Sequence, residues 1–150
     1  MKQITIRKSV SKDIADAIPS LIDKALDWMK NKYPNVNFGN AEFIVSAGFN
    51  RSRYFRNEVA NAKYAAPNVC ICTRATLMLY NKPSLGIKKN KLFVGAAPQI
   101  MCSLIHELTH HVQYEQNIRK GNELDTTANE LEYLKEFHGN YYNKIVKAKP

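Results

Sequence analysis

The stretch His106-Glu107-Leu108-Thr109-His110 constrains this chain most, because it fixes the spacing of two metal-binding side chains. The surrounding run, QIMCSLIHELTHHVQYEQ, carries apolar residues at helical spacing, so a helix beginning near Pro98 is expected. Residues four apart on a helix lie one turn above each other on the same face. Two imidazoles placed in this way can bind one Zn²⁺, and Glu107 can reach the coordination position that holds water. The stretch therefore predicts a metal site with a carboxylate beside it.

A helical projection separates the two histidines from the apolar side of this helix. The apolar stripe consists of Met101, Leu104, Ile105, Leu108 and Val112. His106 and His110 fall on the opposite side, so they are not needed to fill the core. The alternative is a polar face that merely meets water, but His106, Glu107, His110 and Gln113 would then cluster without a partner. We therefore expect the helix to bury its stripe and to hold the imidazoles around a metal ion.

A third protein ligand is expected from the next helix, which is predicted from about Thr126 to Val146 after a loop at about 117–125. On that helix Glu130 falls within an apolar stripe, where a carboxylate is costly unless it is paired or bound to a metal. Glu130 is therefore the first candidate. Glu123 is the second, because it shares the same face if the helix begins earlier.

Two further interpretations remain open on this helix. Thr127 and Glu130 fit a capping box, in which Glu130 would bond to the amide of Thr127 at the helix start. Asp125 or Thr126 could cap the helix instead and leave Glu130 free. His138 lies near the apolar stripe, where packing or support of a metal ligand is expected before direct ligation.

The rest of the chain predicts an α+β fold in one domain spanning residues 1–150, with the sheet preceding a C-terminal helix pair. A turn or short helix after Ser11 is expected to be interrupted by Pro19, which then starts a helix reaching Tyr33. The segment Arg51–Asn68 is either a short amphipathic helix or a loop over a cleft. The predicted strands are Lys2–Lys8, Ala41–Phe49, Val69–Thr73, Thr76–Tyr80 and Lys91–Val94.

Composition narrows the class of protein. The chain has no apolar stretch long enough to span a membrane, and its start lacks the apolar region of a secretory signal, so a cytoplasmic location is expected. The three cysteines, Cys70, Cys72 and Cys102, are expected to serve in packing within a reducing compartment. The net charge of +9 favours acidic partners, including nucleic acid. The basic residues are scattered, which is more typical of a solvated surface.

The stretch HELTHH, followed by Asn129-Glu130 in TTANELEYL, resembles the gluzincin branch of the zincin metallopeptidases over about His106–Leu134. The resemblance implies a glutamate ligand on the second helix, frequently in an Asn-Glu pair. Members of that branch commonly carry an acidic residue four positions after this glutamate, where this chain has Leu134. Partners of the histidines must then come from elsewhere.

The small size of the chain is similar to that of the minimal zincin cores of bacterial and phage-encoded peptidases. That likeness implies a zincin-like fold, in which a small mixed sheet accompanies an N-terminal helix, the HExxH helix and a C-terminal helix. The edge strand of the sheet would bind a peptide by β-addition. The candidate edge strands are Val69–Thr73 and Lys91–Val94.

The expected function is zinc-dependent peptide hydrolysis, with Zn²⁺ held by His106, His110 and Glu130 and with Glu107 as general base. The substrate is a polypeptide of unidentified sequence, and the oligomeric state is open. The candidate oxyanion donors are Tyr133, Tyr141, Tyr142 and His138. The alternative is a basic, nucleic-acid-associated binding protein with a structural or inactive zinc site. The intact Glu107 counts against an inactive site, which needs no general base.

Overall fold

Four strands and four helices make up the computed structural model within the residues that it describes, which are 3–39, 41–46, 62–67, 74–79, 96–116 and 123–148. The strands are β1 (Gln3–Ile6), β2 (Glu42–Val45), β3 (Ala62–Ala65) and β4 (Thr76–Leu79). The helices are α1 (Lys12–Lys32), α2 (Ala96–Glu115), α3 (Glu123–Phe137) and α4 (Gly139–Ala148). The expected α+β class is confirmed.

The sheet is mixed, with the strand order β1-β2-β4-β3. β1 runs parallel to β2, and β2 runs parallel to β4, whereas β3 pairs with β4 in the antiparallel direction. Within the described part of the chain, β3 therefore forms one edge of the sheet. β1, β2 and β4 lie inside three predicted strands. The predicted strands Val69–Thr73 and Lys91–Val94 lie outside the described residues.

Strand β3 falls within Arg51–Asn68, the segment for which the sequence predicted a short helix or a loop. Its four residues, Ala-Lys-Tyr-Ala, contain one good strand former, and alanine and lysine are depleted in strands. Pairing with the fully buried β4 supplies the stability that local sequence preference does not.

Helix α1 is continuous from Lys12 to Lys32, so the predicted interruption at Pro19 is wrong. Pro19 lies inside the helix and is exposed, whereas the opposite face is buried. A proline within a helix costs about 3 kcal/mol, and burial of one large apolar side chain returns about 1.5–3 kcal/mol. The buried side chains of this helix outweigh the proline; they are Ile14, Ile18, Ile22, Ala25, Leu26 and Met29.

One hydrophobic core joins the sheet to α1, α2 and α3. Every second side chain of the two central strands faces this core, as expected for strand geometry. The strand contribution is Phe43, Val45, Leu77 and Leu79, each at most 2% exposed. The core therefore holds α2 against the sheet, and α2 packs directly on β3 and β4.

The predicted final helix is in fact two helices, because α3 ends at Phe137 and α4 begins at Gly139. Glycine is the poorest helix former after proline, so a break there has a local cause. The start was also misplaced, since α3 begins at Glu123 and not near Thr126. This earlier start excludes Glu130 from the capping-box position and places Glu123 in the first turn.

No helix in the described ranges is both long and apolar enough to cross a lipid bilayer.

Candidate metal centre

Helix α2 buries the predicted apolar stripe and leaves partly exposed the two histidines that were predicted to bind a metal. The five stripe residues, from Met101 to Val112, are each at most 2% exposed. The side chains of His106 and His110 keep 26% and 18% exposure, and their ring centroids are 5.0 Å apart. The structure thus places the two imidazoles together, on the side of α2 that solvent can reach.

Glu123 in the first turn of α3 faces the Nε2 atoms of both histidines. Its Oε2 atom lies 3.2 Å from Nε2 of His106, and its Oε1 atom lies 3.1 Å from Nε2 of His110. The three side chains form a group that could hold a metal ion. Glu123 is 68% exposed, so the group opens to solvent on this side.

The ligand atoms of this group lie close enough together for one metal ion. One ligand atom from each of the three residues lies within 4.8 Å of the other two. The two short contacts, of 3.1 and 3.2 Å, are made by different oxygens of Glu123. Two imidazoles and one carboxylate are also the ligand types of a catalytic zinc site, which leaves the fourth position open.

The other ring nitrogen of each histidine is held by an acceptor. Nδ1 of His106 lies 3.1 Å from Oε2 of Glu130, and Nδ1 of His110 lies 3.0 Å from Oε1 of Gln113. A carboxylate and an amide oxygen accept hydrogen bonds, so each Nδ1 donates its proton. In the neutral ring with its proton on Nδ1, Nε2 is the atom left to bind a metal ion on the side where Glu123 lies. This tautomer is the one required for metal binding through Nε2.

Glu123 has a supporting contact of its own. The hydroxyl of Thr126, which is fully buried, donates to the main-chain oxygen of Glu123 at 2.8 Å and lies 3.2 Å from its Oε2 atom. The single hydroxyl proton can go to either oxygen, so the carboxylate of Glu123 has one donor within reach although its outer side is exposed.

The structure brings Glu123, and not the first candidate Glu130, to the Nε2 atoms. Glu130 lies on the same face of α3 as Glu123, two turns further along the helix. There it contacts Nδ1 of His106. The sequence pattern predicted that Glu130 would be buried and would need a partner. Its side chain is 23% exposed, so it is only partly buried, and it does have a partner. That partner is an imidazole N–H.

Glu107 occupies the buried side of the same helical turn. It is 5% exposed, and its Oε1 atom lies 3.7 Å from Nε2 of His106. Burial raises the pKa of Glu107 to about 7, although the charges of His106 and Lys63 act in the opposite direction. A carboxylate is thus held beside the metal group without belonging to it.

Asn129 attaches α3 to the rest of the site. It is 3% exposed, and its amide donates to the hydroxyls of Tyr33 and Thr109, at 2.9 Å in both cases. Thr109 in turn donates to the main-chain oxygen of Ile105 at 2.7 Å. The chain of bonds joins α1, α2 and α3 immediately beside the metal group.

The four predicted oxyanion donors lie on α3, on α4 or between these two helices. Tyr133 packs edge-on against Trp28, with ring centroids 5.7 Å apart, and the His138 ring lies 6.1 Å from that of Tyr133. Tyr133 and His138 line one cleft together, and Tyr141 lines a neighbouring cleft with His138. Tyr142 belongs to the short helix α4.

The structure describes only some of the cysteines and basic residues on which the sequence predictions rest. Cys102 is a free, half-buried thiol on α2. Cys70 and Cys72 lie outside the described residues. Eight of the scattered basic residues also lie outside the described residues. They are Arg51, Arg53, Arg56, Lys88, Lys89, Lys91, Arg119 and Lys120.

Comparison of the chain with protein-family models, with curated proteins and with solved structures gives no match.

Proposed function

We propose that this protein is a zinc-dependent peptidase of the zincin type, in which His106, His110 and Glu123 hold the metal. The observation that carries the proposal is the convergence of two Nε2 atoms and one carboxylate within 3.1–3.2 Å, with each Nδ1 already bonded. Such an arrangement is typical of a metal site with oriented ligands. It replaces Glu130 by Glu123 in the expected ligand set.

In this proposal Glu130 and Gln113 support the ligands. A partner on Nδ1 fixes the tautomer and the ring direction of a histidine ligand and raises its basicity. The acidic partner that Leu134 could not supply is then Glu130, which bonds to His106. When bound, Zn²⁺ supplies a Lewis acid that polarises a carbonyl and lowers the pKa of water.

Glu107 is the general base in this proposal. Its carboxylate accepts a proton from the water that attacks the scissile carbonyl, and it then delivers this proton to the departing amine. Its position supports the role, because its carboxylate is buried and lies 3.7 Å from a ligand atom of His106. A structural metal site would have no use for a buried carboxylate there.

An extended polypeptide is the substrate class that the fold accommodates best. Strand β3 lies at the sheet edge within the described residues, and α2 packs directly against it. An edge strand can pair with a peptide through main-chain hydrogen bonds, which leave the peptide carbonyls at defined positions. The two strands expected for this role lie outside the described residues. Among the described strands, β3 combines an edge position with direct packing against α2, so we assign the role to β3.

The test compares wild-type protein with Glu107→Gln for bound zinc and for cleavage of a broad peptide library. We expect about one zinc per chain in both proteins and a loss of activity of at least a hundredfold in the variant, in line with typical contributions of a general base. Glu132→Gln, on the solvated side of α3, is the matched control and should retain activity. A wild-type protein that binds no zinc, or a variant as active as wild type, would refute the proposal.

A further inference from the structure

The third histidine of the HELTHH stretch, His111, has a different set of partners from its neighbours. Its side chain is buried, with 4% exposure. Nε2 lies 2.7 Å from the main-chain oxygen of Asn37, and Nδ1 lies 2.7 Å from the hydroxyl of Tyr64. A carbonyl oxygen only accepts, so Nε2 carries the proton and Nδ1 accepts from Tyr64. One ring therefore joins α2 to the segment before β2 and to β3.

Aromatic packing reinforces these bonds. The ring of Phe38 lies 5.4 Å from the His111 ring, and the ring of Tyr64 lies 5.6 Å from it at an angle of 68°. Burial raises the pKa of the Tyr64 hydroxyl well above its usual value. The hydroxyl therefore stays protonated and remains a donor to His111 across the neutral pH range.

An apolar side chain would fill this position without the need for partners. A buried imidazole must recover its desolvation cost through hydrogen bonds, each of which contributes about 0.5–1.5 kcal/mol net. Unlike an apolar side chain, the imidazole makes two directional hydrogen bonds, which fix the positions of the Tyr64 hydroxyl and the Asn37 carbonyl relative to α2. One of those partners belongs to β3, a four-residue strand that among the described residues pairs on one side only.

Strand β3 also packs directly against α2, the helix that carries the proposed general base Glu107. His111 follows His110 directly and lies one turn beyond Glu107 on α2. A displacement of β3 would therefore change the distance between the strand and the reacting groups.

On the basis of the proposed peptidase function, we propose that His111 and Tyr64 are positioning residues. Their hydrogen bond fixes β3 relative to the metal-binding side of α2. A polypeptide paired with β3 then presents its scissile carbonyl to Glu107 and to the metal group at a constant distance. A misplacement of about 1 Å at a reacting centre can cost about a hundredfold in rate.

The test is Tyr64→Phe, which removes the hydroxyl and keeps the ring. Ile22→Val is the control for lost stability, because it removes one methyl group from the buried face of α1, a helix that carries neither the proposed ligands nor β3. With a peptide that wild type cleaves, we expect Tyr64→Phe to raise KM and to lower kcat/KM by about tenfold or more. Both variants should lower the free energy of unfolding, whereas Ile22→Val should leave KM unchanged.

Two readouts do not depend on turnover. Tyr64→Phe should leave zinc content and the visible spectrum of the Co²⁺-substituted protein as in wild type. In a Glu107→Gln background it should weaken binding of the same peptide, labelled with fluorescein, by a similar factor. His111→Gln keeps one donor and one acceptor, so it should retain more activity than His111→Leu.

The outcomes separate the two proposals. If wild type is active and Tyr64→Phe has the same KM and peptide affinity as Ile22→Val, the positioning role alone is refuted. A changed Co²⁺ spectrum in Tyr64→Phe also defeats it, because the bond would then act on the metal group. If zinc-loaded wild type neither cleaves nor binds any peptide, both the proposed function and this inference are refuted.

Discussion

Glu130 contacts His106 through Nδ1, at 3.1 Å, while Nε2 of the same ring faces a different carboxylate, that of Glu123. The contact raises the pKa of His106, although burial acts in the opposite direction. Glu123 and Glu130 are seven residues apart on one face of α3. The imidazole ring of His106 lies between their carboxylates and contacts each through a different nitrogen. Their different positions imply different effects on metal binding.

Substitution of the two glutamates should distinguish a metal ligand from its support. We expect Glu123→Ala to reduce zinc affinity by more than the roughly 10–100-fold that is typical of a supporting partner, because one of three protein ligands is lost. Glu130→Ala should reduce it by about 10–100-fold, the range typical of a partner on a histidine ligand. Titration with a chelating competitor measures both affinities. The reverse order would restore Glu130 as the third ligand.

Zinc should stabilise the folded protein, because the unfolded chain does not hold the three ligands together. Free zinc at about a thousandfold over its dissociation constant adds about 4 kcal/mol, which corresponds to roughly 10 °C in Tm for a chain of this size. Scanning calorimetry with and without a chelator measures the shift. Glu107→Gln should show the same shift, and a His106→Ala/His110→Ala double variant should show none. A shift that persists in the double variant would place the zinc elsewhere.

The histidines could be recognised in the sequence because helical spacing is local. A repeat of 3.6 residues per turn, which brings residues four apart to the same face, and a filled apolar stripe are sufficient to place His106 and His110 on one side of α2. The choice between Glu123 and Glu130 was not local, because it depended on where α3 begins. A loop boundary shifted by three residues brings Glu123 into the first turn, and element boundaries are the weakest part of pattern analysis.

Other features depended on tertiary structure in the same way. Pro19 predicts a helix break, but burial of the isoleucines around it outweighs the local cost. Strand β3 has little strand preference of its own and exists through pairing with β4. The Tyr64–His111 bond joins residues 47 positions apart. No pattern in either segment indicated that contact.

Removal of the Asn129 side chain should destabilise the protein without a direct effect on the ligands. Asn129→Ala leaves the hydroxyls of Tyr33 and Thr109 without their donor and opens a small cavity, so we expect a loss of about 1–3 kcal/mol in the free energy of unfolding. Urea denaturation measures this change. Asn140→Ala, at an exposed position of α4, is the control and should change it by less than about 0.5 kcal/mol. Equal effects of the two variants would contradict the structural role of Asn129.

The thiol of Cys102 should be unreactive in the folded protein. Burial raises its pKa to about 12, and the negative charge of Glu130 acts in the same direction. The thiolate is the reactive form, so alkylation by iodoacetamide at pH 8 should be about a thousandfold slower than for a thiol with an ordinary pKa. Mass spectrometry of a Cys70→Ser/Cys72→Ser variant isolates this site.

The same shift predicts a dependence of stability on alkaline pH. The folded pKa lies above the unfolded one, so the stabilisation is complete below the unfolded pKa, near 9. It declines as pH rises from about 9 toward 12, because the unfolded state then releases its proton first. Cys102→Ala in the same background should show a smaller decline. Rapid alkylation of Cys102 at pH 8 without denaturant would contradict its burial against α3, since only an accessible thiolate reacts at that rate.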